Sequence, residues 1–256
     1  MRYVKHEQEL SLIREGAAIL SRVQGEIARV VNPGIATKHL NDVAEQCIRD
    51  HGGTPSFKGY NGFPAAVCIS VNECVVHGIP GDYVLREGDI VAVDCGVYYK
   101  GFHSDAAFTY PVGEVSDDLM RLLKVTKSAL YRGIEAAKAG NRIGDIGHAV
   151  QYYVSKRGYS VVRELVGHGI GAQLHEAPQV PNYGRRSQGR RLELGMVLAI
   201  EPMVNLGSAQ IYRESGGVFK TRDGKASAHF EHTVVVMDGK AEPLTTYEYI
   251  EERFKF

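Results

Sequence analysis

The stretch Ile90-Val-Ala-Val-Asp94-Cys-Gly-Val-Tyr-Tyr-Lys100-Gly-Phe-His-Ser-Asp105-Ala-Ala-Phe-Thr-Tyr110 decides how this chain is read. Two β-branched, apolar runs flank a tight Tyr99–Gly101 turn, which is the pattern of a β-hairpin. In an antiparallel pair, opposed residues keep a constant sum of residue numbers. A turn at Tyr99-Lys100 would set Asp94 directly opposite Asp105. A turn at Lys100-Gly101 would leave them diagonal, still on one face. Asp94 interrupts an otherwise apolar strand. An unpaired buried carboxylate costs several kcal/mol, and two that face each other repel. Something positive has to lie between them: a divalent cation, or an Arg or Lys.

Three further segments carry residues of the same kind. In Gly167-His168-Gly169-Ile-Gly171-Ala-Gln-Leu174-His175-Glu-Ala-Pro178, glycines on both sides of His168 allow close backbone approach and leave the ring unshielded. In Val197-Leu-Ala-Ile-Glu201-Pro202 a Glu follows an apolar strand. In His229-Phe-Glu231-His-Thr-Val-Val-Val236 another Glu lies inside a β-run. Each alone reads as a strand edge with its acid in solvent, or as a core histidine. Together, two Asp, two Glu and one His form an oxygen-rich set whose four negative charges balance two divalent cations. Such a set suits paired Mn²⁺, Fe²⁺, Co²⁺ or Zn²⁺ and differs from a thiolate-rich structural zinc site.

Around these segments the chain alternates helices and strands. Leu10, Ile13, Ala17, Leu20, Gln24, Ile27 and Val31 recur at steps of three and four, apolar except Gln24, and predict an amphipathic helix ended by Asn32-Pro33-Gly34. Thr37 is the expected N-cap of a second helix stopped by Gly52-Gly53. Ser116-Asp-Asp opens a third, running to about Gly140, and a fourth spans Ile143 to Arg157. Strands are expected at Ala65–Val71, Asp89–Tyr98, His103–Pro111, Val197–Ile200, Met203–Val204 and His229–Val236. Two helices, strands, two helices and strands again suggest an α+β domain of two similar halves.

Composition bounds the function. The chain has 256 residues, 44% hydrophobic and 23% charged, with 30 Lys+Arg against 30 Asp+Glu. That is globular usage with no bulk electrostatic pull toward nucleic acid or anionic membrane. Its four cysteines, Cys47, Cys68, Cys74 and Cys95, form no C-x-x-C pair and read as reduced thiols of a cytosolic protein. The charged start Met1–Leu10 has no apolar core of a secretory signal. No apolar run approaches the roughly 20 residues of a membrane span.

The ordered set Asp94, Asp105, His168, Glu201 and Glu231 resembles that of the pita-bread metallopeptidases. Within them the chain is similar to the type 1 methionine aminopeptidases. Asn72-Glu-Cys-Val-Val-His77-Gly-Ile-Pro-Gly81, His175-Glu-Ala-Pro178 and Ile200-Glu-Pro-Met203 carry the same resemblance, which runs from the first helix to Glu231. The short span from Glu201 to Glu231 leaves no room for the helical insertion of type 2 relatives. The chain before Asp94 leaves none for the extra N-terminal domain of prolidases.

The resemblance implies a pita-bread fold over residues 1–256, with pseudo-symmetric halves 1–115 and 116–256, an antiparallel sheet core and helices outside. It implies that Asp94, Asp105 and Glu231 hold one divalent ion and Asp105, His168, Glu201 and Glu231 the other, of the Co, Mn, Fe, Zn or Ni class. His77 and His175 match substrate-contacting histidines, and Glu201 the residue that moves the proton. Phe57, Tyr60, Phe63, Cys68 and Leu174 match a methionine pocket. Leu174 stands where an aromatic is common, and with no Trp in the chain, Val218 or Phe219 takes the place of the Trp frequent in relatives. Asn72, Cys74 and Ser227 match a monovalent (Na or K) site. The implied activity is removal of initiator methionine from nascent polypeptides at the ribosome, when the second residue is small, by a cytoplasmic monomer with no direct nucleic-acid contact. An X-Pro peptidase, or a non-catalytic binding protein of the same fold, is the competing reading.

Overall fold

The periodic stripe of the first helix is buried along its whole length in the computed structural model, which describes residues 3–256; Met1 and Arg2 of the charged start lie outside them. Helix α1 (Glu7–Val30) closes before Pro33. Its one polar stripe residue, Gln24, has a structural role. The amide nitrogen donates to the carbonyls of Val93 (3.1 Å) and Ala106 (3.0 Å), and the amide oxygen accepts from the Tyr110 hydroxyl at 2.6 Å. Gln24 thereby ties the helix to both strands of the aspartate hairpin.

Helix α2 (Thr37–Asp50) begins one residue earlier than expected. Ala36 is the N-cap, and Thr37 instead donates its hydroxyl to the Gly81 carbonyl at 3.0 Å. Helix α3 (Asp117–Ala136) is capped as expected, Ser116 accepting from the Leu119 N–H, but it stops short of Gly140. There Ala137 and Ala139 turn away to reach Ile134 and Met237. Helix α4 (Ile143–Ser155) likewise ends just before Arg157.

The strands Ile90–Tyr99 and Phe102–Pro111 form the expected hairpin, turning at Lys100-Gly101 with both residues at positive φ. Asp94 pairs with Ala107 and Asp105 with Gly96, so the aspartates are diagonal on one face. Val67–Val71 and Thr54–Pro55 flank the same sheet. A second sheet orders Glu242–Pro243, His232–Val235, Val197–Ile200, Gly167–Gly169 and Glu176–Val180. Helix α1 packs on the hairpin, with α2 beside it on the flanking strands Thr54–Pro55 and Val67–Val71, and α3 and α4 pack together against strands of the second half.

Two glutamates interrupt the ladders, the first in the gap expected between Val197–Ile200 and Met203–Val204, the second inside the strand expected to be continuous over His229–Val236. Glu201-Pro202 separates Val197–Ile200 from Met203–Asn205, and Phe230-Glu231 separates Ser227–His229 from His232–Val235. Glu231 therefore lies in a break, not inside a β-run. Both halves of the pairing keep one register, Ile200 with His232 and Met203 with His229. That register sets Glu201 opposite Glu231, where the ladder opens. Proline at 202 cannot donate to the ladder, which is a local reason for the break.

Candidate metal centre and substrate cavity

A cavity of about 630 Å³ opens between the two sheets, and its lining collects residues from all parts of the chain. Asp94, Asp105, His168, Glu201 and Glu231 lie in its wall, as do His77 and His175. So do Phe57, Tyr60, Phe63, Cys68 and Leu174.

Reciprocal side-chain bridges on either side of one backbone hydrogen bond hold the last strands against the hairpin. The Asp105 N–H donates to Thr233 Oγ1, and that hydroxyl donates back to the Asp105 carbonyl, both at 2.8 Å. Thr109 makes the same reciprocal pair with His229, at 2.7 and 2.9 Å. Between them the Glu231 N–H reaches the Ala107 carbonyl at 2.9 Å. These contacts run antiparallel in a single register and carry Glu231 to Asp105. The Tyr247 hydroxyl, 2.8 Å from both the Ala107 and Glu231 carbonyls and accepting from the Glu231 N–H at 3.0 Å, seals the joint.

His168 sits in the second sheet on the strand between Val197–Ile200 and the edge strand Glu176–Val180. It is only 8% exposed, so its ring is shielded rather than open as the flanking glycines suggest. Those glycines serve backbone approach: a Cβ at Gly169 would meet the Ala177 carbonyl, and one at Gly167 the Ala199 carbonyl. The His168 Nδ1 lies 2.9 Å from the Gly169 carbonyl, which can only accept. The proton is therefore on Nδ1, and the Nε2 lone pair faces the cavity, 3.5 Å from Glu201 Oε1.

Among the described residues no Arg or Lys comes between the aspartates. Asp94 Oδ1, Asp105 Oδ1 and Glu231 Oε1 are buried without a hydrogen-bond partner. Burial, then the neighbouring carboxylates, pushes Asp105 and Glu231 well above the carboxylate range. Burial raises Asp94 to about 6 and Glu201 to about 8. Ligand atoms of Asp105, His168 and Glu231 converge within 4.8 Å, as do those of Glu201, His229 and Glu231. Buried orphan oxygens, a presented imidazole and this convergence fit divalent metal, and they exclude the Arg or Lys alternative.

The two cavity histidines, His175 and His77, differ in support. The His175 Nδ1 lies 2.8 Å from the Tyr60 hydroxyl, and its ring meets His168 edge-on at 4.3 Å between centroids. His77 follows the Cys74–Val76 strand at φ 60, a left-handed conformation unusual for a side-chain-bearing residue, and packs edge-on to Phe219 at 5.8 Å. Burial is the main cause that lowers both below the usual 6.5, so both are neutral at pH 7. Phe57 is admitted by Gly96, where a Cβ would stand 2.8 Å from the Phe57 ring. Phe219, not Val218, lines the cavity, beside Gly216, Gly217 and Arg213. The Cys68 and Cys95 thiols are pushed well above their ordinary value by burial and by the aspartates, so neither is an activated nucleophile.

Asn72, Cys74 and Ser227 lie together outside this cavity. The Ser227 N–H donates to the Asn72 carbonyl at 2.9 Å. The Asn72 amide is engaged by Asp89 and the Ile90 N–H, and the Ser227 hydroxyl by the Val204 carbonyl. The sequence reading assigned no role to His229, Thr109, Thr233 or Arg213. His229 alone had a signal there, since it precedes Glu231 by one strand period.

A cluster of buried carboxylates with a presented imidazole, where two antiparallel sheets meet, defines a metal-dependent hydrolase, and the chain belongs to metallopeptidase family M24, whose model matches residues 11–238. It is 49% identical over 243 residues to a methionine aminopeptidase of Clostridium perfringens, covering 94% of this chain and 98% of that one. Methionine aminopeptidase 1 of Bacillus subtilis is 49% identical over 242 residues, with 94% and 98% covered. The crystal structure of a methionine aminopeptidase from Thermotoga maritima superposes with a TM-score of 0.94 at 40% identity, over 96% of this chain and 100% of that one. The α+β pita-bread architecture expected from the sequence is the one observed.

Proposed function

We propose that this chain is a metalloaminopeptidase that removes the N-terminal methionine from polypeptides whose second residue is small. The observation that carries this reading is the cavity itself, where the carboxylate cluster, two neutral imidazoles and an apolar aromatic wall share one space. Asp94, Asp105 and Glu231 would hold one divalent ion, and Asp105, His168, Glu201 and Glu231 a second. Bound there, the ions would supply Lewis-acid polarisation of the scissile carbonyl and a water acidic enough to attack at neutral pH.

The protein's own groups do the rest. The first side chain enters among Phe57, Tyr60, Phe63, Cys68 and Leu174, where a polarisable thioether packs well against aromatic edges. His175, oriented by Tyr60, and His77 stand where neutral imidazoles can donate to the scissile amide and its developing oxyanion. Glu201 accepts the proton of the attacking water and returns it to the leaving amine.

We further read residues 1–256 as one catalytic domain of halves 1–115 and 116–256, a reading supported by the matching helix pairs α1/α2 and α3/α4. A monovalent cation beside Asn72, Cys74 and Ser227 would have to rely on backbone carbonyls, since the Asn72 and Ser227 side chains are engaged elsewhere. Among the described residues no helix is long and apolar enough to cross a membrane. Action on nascent chains in the cytoplasm, as a monomer at the ribosome, accords with the substrate.

The test strips the protein of metal, restores each divalent ion in turn and assays Met-Ala-Ser beside Met-Lys and Xaa-Pro peptides. Fast cleavage of Met-Gly, Met-Ala and Met-Ser is expected, with Met-Leu and Met-Lys slow. A bulky second side chain displaces the amide from His77 and His175, and about 1 Å costs about 10²-fold in rate. Preferential cleavage of Xaa-Pro substrates would transfer the chain to the X-Pro branch.

A further inference from the structure

His229 is 1% exposed, yet neither of its ring nitrogens has a hydrogen-bond partner. A fully buried imidazole with two unsatisfied nitrogens calls for a reason. Thr109 grips its backbone on both sides, so the ring is held by a clamped strand end. Its Nε2 lies 3.5 Å from Glu201 Oε2, and His168 Nε2 lies 3.5 Å from the other oxygen of the same carboxylate. The carboxylate is thus bracketed by two imidazoles.

The two rings differ in one respect. A metal-ligating histidine almost always donates its other ring N–H to an acceptor. His168 does so, to the Gly169 carbonyl. His229 Nδ1 has no acceptor. Its ring therefore suits a donor at Nε2 better than a ligand, and a shift of about 0.5 Å would bring the contact to ordinary hydrogen-bond length.

We propose that His229 is a positioning residue for Glu201, its Nε2–H donating to Glu201 Oε2 and fixing the rotation of that carboxylate. The inference rests on the aminopeptidase reading, in which Glu201 both ligates and moves the proton. Held from one side, Glu201 keeps its other oxygen turned toward His168 and the cavity.

The test compares H229Q, which keeps a donor, with H229L, which keeps apolar bulk without one, and with H229M as a second apolar variant should Leu disturb packing. Each is assayed with Met-Ala-Ser for kcat and KM separately. Each is also stripped and titrated calorimetrically with Mn²⁺ or Co²⁺. H229L and H229M should lose about 10- to 100-fold in kcat or metal affinity, the range seen when such outer partners are removed. KM should hold within about twofold, the number of ions bound should be unchanged, and H229Q should recover most of the loss. Wild-type kcat and affinity in H229L and H229M would overturn the proposal, and so would loss of one whole metal equivalent in all three, which would make His229 a ligand. A wild type that cleaves no Met-Ala-Ser with any metal would refute the aminopeptidase reading instead. The affinity difference between H229Q and H229L would still decide the role of His229.

Discussion

Glu231 belongs to both clusters of converging donor atoms, and Asp105 joins it in one of them. In the bridging arrangement, replacing Asp105 or Glu231 by Ala should weaken both metal positions and abolish activity. Replacing Asp94 or His168 should first affect one. Calorimetric titration of the four variants separates the cases, and equal single-site losses in all four would contradict bridging. His175 is different again, because it approaches the cavity through Tyr60 and no carboxylate holds it. H175A should lower kcat by about 10²- to 10³-fold, the range for losing one oxyanion donor, with both ions still bound. Metal loss in that variant would show that His175 belongs to the ligand set.

At the scale of elements, the site depends on close backbone approach as much as on ligand chemistry. The Gly167–Gly169 strand is wedged between Glu176–Val180 and Val197–Ile200, and no Cβ fits on either side of His168. G169A should therefore push His168 away from Glu201. The expected cost is about 1–3 kcal/mol of stability from overpacking, together with about 10²-fold in kcat for a shift of about 1 Å. Denaturant unfolding and steady-state kinetics on the same preparation measure both. Unchanged kcat with reduced stability would mean that the strand yields without moving the ring. The two broken strands work in the opposite sense. By interrupting the ladder at Glu201-Pro202 and Phe230-Glu231, they free two opposed glutamates to turn into the cavity while the register on each side is kept.

For the molecule as a whole, the buried acids make stability depend on pH and metal together. Asp94 and Glu201 have ordinary values of 3.8 and 4.5, and in the folded chain they rise to about 6 and about 8. The native state thus keeps protons that the unfolded chain has released, and stability falls as pH climbs toward the folded values. Buried His168, lowered from 6.5 to about 3, acts oppositely, but its effect is complete above pH 6.5. Metal-stripped protein should accordingly lose stability between about pH 6.5 and 8. Divalent metal should restore it most at the upper end, because ligation needs the carboxylates ionised. Melting temperatures in EDTA and in Mn²⁺ across that window provide the measurement, and a stripped protein that gains stability from pH 6.5 to 8 would contradict the assignment. The same coupling predicts proton release when metal binds.

Much of this was legible in the chain itself. Carboxylates set in apolar runs, glycines around His168 and the periodic stripe of α1 are local signals, because burial pattern and backbone freedom are written residue by residue. The hairpin turn was left between two registers, since both turns suit Lys100-Gly101 and its neighbours; the pairing of the whole ladder chose between them. That Gln24 in the α1 stripe ties helix to hairpin could not be seen locally, because its partners are distant carbonyls. The strand break at Glu231, and the threonine bridges that carry Glu231 to Asp105, likewise depend on segments far apart in sequence. His229 shows the division most plainly. Sequence places it one strand period before Glu231, but only the packed structure strips water from both its nitrogens and aims one at Glu201. A residue's type determines what it can bond, and the tertiary structure alone decides which partners remain within reach once solvent is excluded.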